Sequence, residues 1–357
     1  MMNCENPSSF VAAVGTATPP CPLSQERALA LANEHYAAVL QERSLGLLTQ
    51  FLCHPSIKTR YIAVEEIDQM PLLKTESPDD RISRFTRWSV RLAAEAGLKA
   101  LDTAGIEPKS VSSLIVNTCT GYLCPGISTY LIREMGLAPD VRAFDLVGSG
   151  CGGALPNLQM GDSLVKRYGG ISLCIAVEIC SATYQMGDDP SLLVSNAIFG
   201  DGAAAAVVQE APSRLGIVAI DGAYAPEYRD EVRYVHKNGA LHNRLTPKVP
   251  RLIITAVPPF IERFLADNGL TKENIDHWAL HPGGDKILSG LEQALCLTPR
   301  QRAASEGVLR DFGNMSSPTA LFVLERLLQN GIHCGQHCVM AAYGAGLSMH
   351  ACLLRGS

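Results

Sequence analysis

An α/β fold built from two related halves is predicted by three features of this 357-residue chain. Short apolar runs rich in Val and Ile alternate with longer stretches of helical periodicity, the pattern of strands buried between helices. A Gly-x-Gly turn opens an apolar run at corresponding places, in Phe199-Gly-Asp-Gly-Ala-Ala-Ala-Ala and in Tyr343-Gly-Ala-Gly-Leu-Ser-Met-His. Small residues are abundant, with 31 glycines against 6% aromatics, which suits helices packed closely on a sheet.

Helical spacing of apolar residues predicts helices over 24–51 and 83–104, the second closed by Gly105. Between them, 58–65 reads as extended and 71–80 as a loop. Residues 111–117, 143–147, 171–178 and 203–209 read as strands. Gly148-Ser149-Gly150 makes a turn before a helix over 151–166, which Gly169-Gly170 ends. In the second half, helices are expected over 251–268 and 315–328, and strands over 277–280, 337–342 and 347–354. The halves divide at a composition shift around Pro212-Ser213, into 1–213 and 214–357. The Gly-x-Gly turns lack the third glycine and acidic partner of a dinucleotide site.

Charge and composition exclude several classes. Thirty basic and 35 acidic residues leave a net charge of −5, so nucleic acid is not an expected partner. No apolar run reaches the roughly 18–20 residues of a membrane span. Residues 1–20 carry Glu5 and no basic region, unlike a signal peptide. Twelve scattered cysteines then suggest reduced thiols in a cytoplasmic setting.

Among those cysteines, Cys151 follows a glycine turn and opens a predicted helix. Unpaired N–H groups and the positive end of the helix dipole favour a thiolate there, and the flanking glycines leave the sulfur accessible. A small buried cysteine is the ordinary alternative. His281 ends a predicted strand in His281-Pro282-Gly283-Gly284, where it is either a proton acceptor for a thiol or a structural residue. Asn314, in Gly313-Asn314-Met315-Ser316-Ser317, is either a helix N-cap or a donor to a developing oxyanion. The cluster His333-Cys334-x-x-His337-Cys338 has metal-like spacing, but Cys338 falls in a predicted buried strand, and no metal is expected.

Two families use Cys, His and Asn in this order. Papain-like proteases carry Cys-Gly-Ser-Cys-Trp, which Cys151-Gly-Gly-Ala-Leu does not match. The chain instead resembles the type III polyketide synthases, the chalcone-synthase-like branch of the thiolase-fold condensing enzymes, over about residues 10–350. The resemblance rests on Gly150-Cys151-Gly152-Gly153-Ala154, on Glu178-Ile-Cys-Ser-Ala-Thr-Tyr184, on Asn196-Ala-Ile-Phe-Gly-Asp-Gly-Ala-Ala-Ala205, and on the His281 and Asn314 stretches. Asn117-Thr-Cys-Thr-Gly-Tyr122 and Cys151–Leu158 resemble bacterial and fungal enzymes that make alkylresorcinols and alkylpyrones.

This resemblance implies a thiolase-like fold whose two duplicated halves form a layered α-β-α-β-α core. It implies that Cys151 takes an acyl group from an acyl-CoA and that His281 holds the thiolate as an ion pair. His281 and Asn314 would promote decarboxylation of malonyl-CoA, and the enolate would attack the acyl-Cys151 repeatedly before the polyketide cyclises. No bound cofactor is implied beyond the coenzyme A thioesters themselves. Cys119, Thr120 and Ser316 would line the cavity. Tyr184 would be one gatekeeper, and Leu241 or Asn243 the second. Cys124 would reach a partner's cavity across a homodimer. Arg43, Lys58 and Arg60 are candidates for the CoA phosphates, and Gly344-Ala345-Gly346 stands where the family has Gly-Pro-Gly. A single-step condensing enzyme of the ketoacyl synthase III type shares the Cys, His and Asn, and a non-catalytic partner subunit is a third reading.

Overall fold

A computed structural model describes residues 7–357. The first half contains β1 (Phe10–Ala17), β2 (Cys21–Ser24), α1 (Gln25–Tyr36), α2 (Glu42–Leu52), β3 (Thr59–Ile62) and α3 (Pro78–Ala104). It continues with β4 (Ser113–Asn117), α4 (Ile127–Glu134), β5 (Arg142–Leu146), α5 (Ala154–Tyr168), β6 (Ile171–Glu178), α6 (Pro190–Ile198) and β7 (Gly202–Gln209). The second half holds β8 (Leu215–Tyr224), the hairpin of β9 (Val232–Lys237) and β10 (Ala240–Leu245), and α7 (Val249–Asp267). Then come β11 (His277–Leu280), α8 (Asp285–Leu295), α9 (Pro299–Phe312), α10 (Thr319–Asn330), β12 (His337–Gly344) and β13 (Ser348–Gly356).

Nine strands form one mixed sheet in the order β11-β12-β13-β8-β1-β7-β6-β4-β5. The duplication is visible in its pairing. β4 is parallel to β6, β6 antiparallel to β7, and β7 antiparallel to β1. In the second half β11, β12, β13 and β8 repeat that sequence of directions. The two Gly-x-Gly turns lead into the equivalent strands β7 and β13. The halves meet where Phe10 pairs with Gly216 and Val11 with Leu215.

Alternation of side chains explains the layers. On β7, Ala203, Ala205 and Val207 pack with Trp88, Leu92 and Ala96 of α3, while Ala204, Ala206 and Val208 face the opposite way. On β12, Cys338, Met340 and Ala342 face that same central layer, and Val339, Ala341 and Tyr343 pack with residues of α7 and α8. The central layer is α5 and α10, each packed against strands of both halves. Small residues permit this proximity: a Cβ on Gly15 of β1 would lie 2.5 Å from the backbone N of Ala100 on α3.

Several elements differ from their sequence expectation. The stretch 24–51 is two helices, because the N–H of Gln41 is taken by Asp188 from a distant loop. The expected loop at 71–80 contains a 3-10 helix, Ile67–Lys74, and α3 begins at Pro78 because Ser77 caps it. The expected helix from Met315 starts only at Thr319, after Ser316 adopts a left-handed conformation with φ 60°. No helix among the described residues is long and apolar enough to cross a membrane.

Candidate active site

The chain between β5 and α5 bends through two glycines with left-handed backbone, Gly148 (φ 95°) and Gly150 (φ 54°). Cys151 lies in the single 3-10 turn that follows, just ahead of α5. Cys151 lines a cavity that opens to solvent, and it is itself only partly exposed. Burial pushes its thiol up to about 11. Hydrogen bonds from Ser316 and Asn314 and from its own N–H pull it down, and the charge of Glu178 pushes it up.

His281 directly follows β11 and is 1% exposed. Its N–H donates to Ala341 O (2.8 Å), the Tyr343 hydroxyl donates to its carbonyl, and the Tyr343 ring meets its imidazole edge to face at 5.5 Å. Neither ring nitrogen has a protein partner, and burial pushes the imidazole down to about 3. A structural histidine so buried would have its nitrogens bonded. Burial by itself opposes charge on both groups, while the donors from Ser316 and Asn314 favour it at the sulfur.

Asn314 does not cap α10. Its Oδ1 accepts from Ser316 N (2.8 Å), and its Nδ2 donates to Gly283 O (3.2 Å) in the histidine loop. Its backbone bonds to Ile198 O and Gly200 N, which tie it to the Phe199 segment. Asn314 therefore links the Cys151 sulfur to the His281 loop. Gly344 brings the end of β12 onto the same place: a Cβ there would sit 2.5 Å from Gly152 N and 3.1 Å from Cys151 N.

The cavity in front of Cys151 has a volume of about 610 Å³. Cys119, Ser316, Leu241 and Asn243 line it. The β9–β10 hairpin forms one wall, since Val232, Tyr234 and His236 pair across with Leu245, Asn243 and Leu241 and share a face. Leu241 and Asn243 are therefore both wall residues. The hairpin was not anticipated, although Asn238-Gly239, both left-handed, is a strong turn signal.

Six expected positions lie elsewhere. Thr120 is behind the wall, donating to Glu178 Oε2 (2.9 Å) and accepting from Ile179 N. Tyr184 packs with Leu31, Leu48 and Leu193 among α1, α2 and α6 and hydrogen-bonds Tyr36, so it is no gatekeeper; the aromatics that line the cavity include Phe199, Tyr122 and Tyr234. Cys124 is exposed and outside the lining. Arg60 is 1% exposed and donates to Gln25, Asn196 O and Phe199 O, which fits no role on a solvent-side phosphate. Arg43 and Lys58 are exposed but outside the lining; the basic residues on the cavity are Arg229 and Arg233.

Arg60 instead braces Phe199 from behind. Arg60→Ala should lower stability by about 3–5 kcal/mol, because two buried carbonyls lose a charged donor. Lysine should not rescue it, since a single ammonium cannot reach three acceptors in a fork. Thermal denaturation with KM for an acyl-CoA checks this; a stable Arg60→Ala with a selectively raised KM would restore the phosphate-binding role.

One buried group escaped the sequence reading. Glu178, the last residue of β6, is fully buried and accepts from Cys119 N (2.9 Å), Thr120 (2.9 Å), Thr118 (3.2 Å), Ser317 (2.8 Å) and Ser316 (3.4 Å). Its signal was an acid ending an otherwise apolar run. Among the described residues, no three His, Cys, Asp or Glu side chains are grouped to hold a metal, the His333–Cys338 stretch included.

Two family models cover the chain: the N-terminal domain of chalcone and stilbene synthases matches residues 1–212 and the C-terminal domain matches 222–357. The 3,5-dihydroxyphenylacetyl-CoA synthase of Streptomyces toyocaensis is 30% identical over 312 residues, 84% of this chain and 80% of that protein. The alpha-pyrone synthesis polyketide synthase-like Pks18 of Mycobacterium tuberculosis is 30% identical over 314 residues, 83% and 79% of the two chains. The crystal structure of PKS-I from the brown alga Ectocarpus siliculosus superposes with a TM-score of 0.90 at 26% identity, covering 99% of each chain. The 1,3,6,8-tetrahydroxynaphthalene synthase of Streptomyces coelicolor A3(2), at 24% identity and TM-score 0.90 over 98% and 99% of the chains, shares the fold. With both family models matched along nearly its whole length, the chain belongs to the chalcone and stilbene synthase family and is a type III polyketide synthase, an acyltransferase of the thiolase-like fold.

Proposed function

We propose that Cys151 accepts the starter acyl group and that His281 and Asn314 decarboxylate malonyl-CoA. The observation that carries this is the buried His281 imidazole with both nitrogens unpartnered, on a loop hydrogen-bonded to Asn314. The Cys151 sulfur attacks the acyl-CoA carbonyl, its proton passes to His281, and coenzyme A leaves as the thiol. Malonyl-CoA then loses carbon dioxide, and donors from His281 and Asn314 stabilise the enolate that forms. The enolate carbon attacks the acyl-Cys151 carbonyl and expels the Cys151 thiolate, ready for transfer of the longer chain.

The reading extends to a fatty acyl- or aryl-CoA starter and a pyrone, resorcinol or chalcone-like product. Support comes from a largely apolar cavity wall and from relatives named for pyrone and dihydroxyphenyl products. It takes no bound cofactor and places the enzyme in the cytoplasm as a homodimer. The exposed Tyr122, Val147 and Cys124 beside the cavity are the surface a partner would cover. Residues 1–213 and 214–357 are its two halves, and Arg43 and Lys58 remain candidates for the CoA phosphates.

Mass spectrometry of the protein with a panel of acyl-CoAs and malonyl-CoA tests it. Acylation at Cys151 with tri- or tetraketide products is expected. An adduct that stops at a single diketide would overturn iteration, and the absence of any Cys151 adduct would overturn its role.

A further inference from the structure

Behind the cavity floor, four buried polar side chains run in line from α5 to Glu178. Asn157 on α5 has its Nδ2 2.8 Å from Ile175 O, 3.2 Å from Ile115 O and 2.9 Å from Asn117 Oδ1. Asn117, the last residue of β4, has its Nδ2 2.8 Å from Ser317 Oγ. Ser317 Oγ lies 2.8 Å from Glu178 Oε1. None of the four is more than 4% exposed.

Chemistry sets the direction of every bond. Backbone carbonyls only accept, so the Asn157 nitrogen must face Ile115 and Ile175. That nitrogen also faces Asn117, which must offer its oxygen. The Asn117 nitrogen is then left to donate to Ser317, whose own proton goes to the carboxylate. All donors point toward Glu178, and such a chain polarises each bond in turn. Asn117 also touches the start of α5: a Cβ on Gly153 would lie 2.8 Å from its Nδ2.

We propose that Asn117 is a positioning residue of the acyl-transfer site, which acts through Ser317 to hold Glu178 in place beside Cys151 and to favour its ionised form. This rests on the reading of Cys151 as the nucleophile. The titratable groups facing Glu178 are Cys119 from the loop after β4, Cys151 ahead of α5, Cys180 after β6 and Tyr234 on the hairpin. All four are acids and none supplies a positive charge. Burial raises the Glu178 carboxyl, and donors from Cys119 N–H, Ser317 and Thr120 oppose that rise. Without Asn117 the Ser317 hydroxyl is neither oriented nor polarised toward Glu178, and weakening that donor raises the carboxyl further. Below that higher value the carboxyl is neutral and no longer opposes a thiolate at Cys151.

The test is the pH profile of Cys151 alkylation by iodoacetamide, followed by mass spectrometry. Near neutral pH, Asn117→Leu should be alkylated about 3- to 10-fold faster than wild type, a change of about half to one pKa unit at the thiol. The difference should fade at higher pH, where Glu178 ionises again. Glu178→Gln should show the faster rate across the range, and adding Asn117→Leu to it should change nothing more. Should Asn117→Leu not fold, Ser317→Ala removes the next donor in the chain, the one that reaches Glu178, and should shift the profile in the same direction by at least as much. A wild-type profile in the folded variant, or acceleration that persists in the Glu178→Gln background, would overturn the proposal. The assay needs no turnover, so failure to make polyketides would count against the proposed function alone.

Discussion

Cys151→Ala should reduce polyketide formation by at least about 10⁴-fold while malonyl-CoA decarboxylation stays within about tenfold of wild type. The two steps use different groups. In the proposed mechanism the sulfur forms the acyl bond, whereas the enolate depends on donors from His281 and Asn314. Those two residues are held by contacts that do not pass through the sulfur: Tyr343 and Ala341 for His281, Gly283, Ile198 and Gly200 for Asn314. Removing a single sulfur atom from a partly accessible position leaves them in place. Product analysis with labelled malonyl-CoA separates the outcomes. If decarboxylation also vanished, Cys151 would be needed to bind or orient malonyl-CoA, and the division of roles would fail.

The largest structural effect is expected from Gly344→Ala. Gly344 has φ −152° and ψ −156°, a conformation alanine adopts, so backbone strain is not the cause. The obstacle is space, since the new Cβ would sit 2.5 Å from Gly152 N and closer still to Ser149 O. These are backbone atoms of the turn that presents Cys151, and no rotamer change relieves the overlap. Destabilisation of about 3 kcal/mol or more is expected. A displacement of the sulfur by about 1 Å would also cost on the order of 10²-fold in acyl transfer. Gly346→Ala is the control: it has φ 72° but open space around its Cβ, so only about 1–2 kcal/mol of left-handed strain applies. Calorimetry and single-turnover acylation would compare them. Equal, mild effects at both positions would mean that the turn yields easily.

How far these features could be read in advance depended on whether the signal was local. The strand at 277–280 and the placing of His281 at its end follow from an apolar run stopped by Pro282-Gly283. The bend before Cys151 follows from Gly148 and Gly150, whose left-handed backbone matches the glycine requirement. The Asn314 amide was ambiguous because an N-cap and an oxyanion donor need the same side chain; the late start of α10 removes the N-cap reading. Tyr184 and Phe199 are both aromatics near strand ends, and only the packing of α1 and α2 shows which faces the cavity. Arg60 reads as a surface cation until its acceptors on the Phe199 segment are seen. Burial opposes charge on both Cys151 and His281, a property of the assembled site that no spacing carries.

The seam between the two half-sheets has a further consequence. Phe10 and Val11 pair across it with Gly216 and Leu215, and Ile217 N donates to Ser9 O, so the seam itself is short; the Asn314 bonds to Ile198 and Gly200 are another backbone link. What unites them is the α5–α10 layer, whose apolar residues pack against both sheets at once. Each half alone would expose one face of its sheet and would hold only part of the chemistry, sulfur in one, imidazole and amide in the other. Two fragments cut between Gln209 and Leu215 should therefore be inactive and sticky apart, yet able to regain function when refolded together. Through this shared layer, a change that loosens the packing of one half would be felt as lost activity in the other.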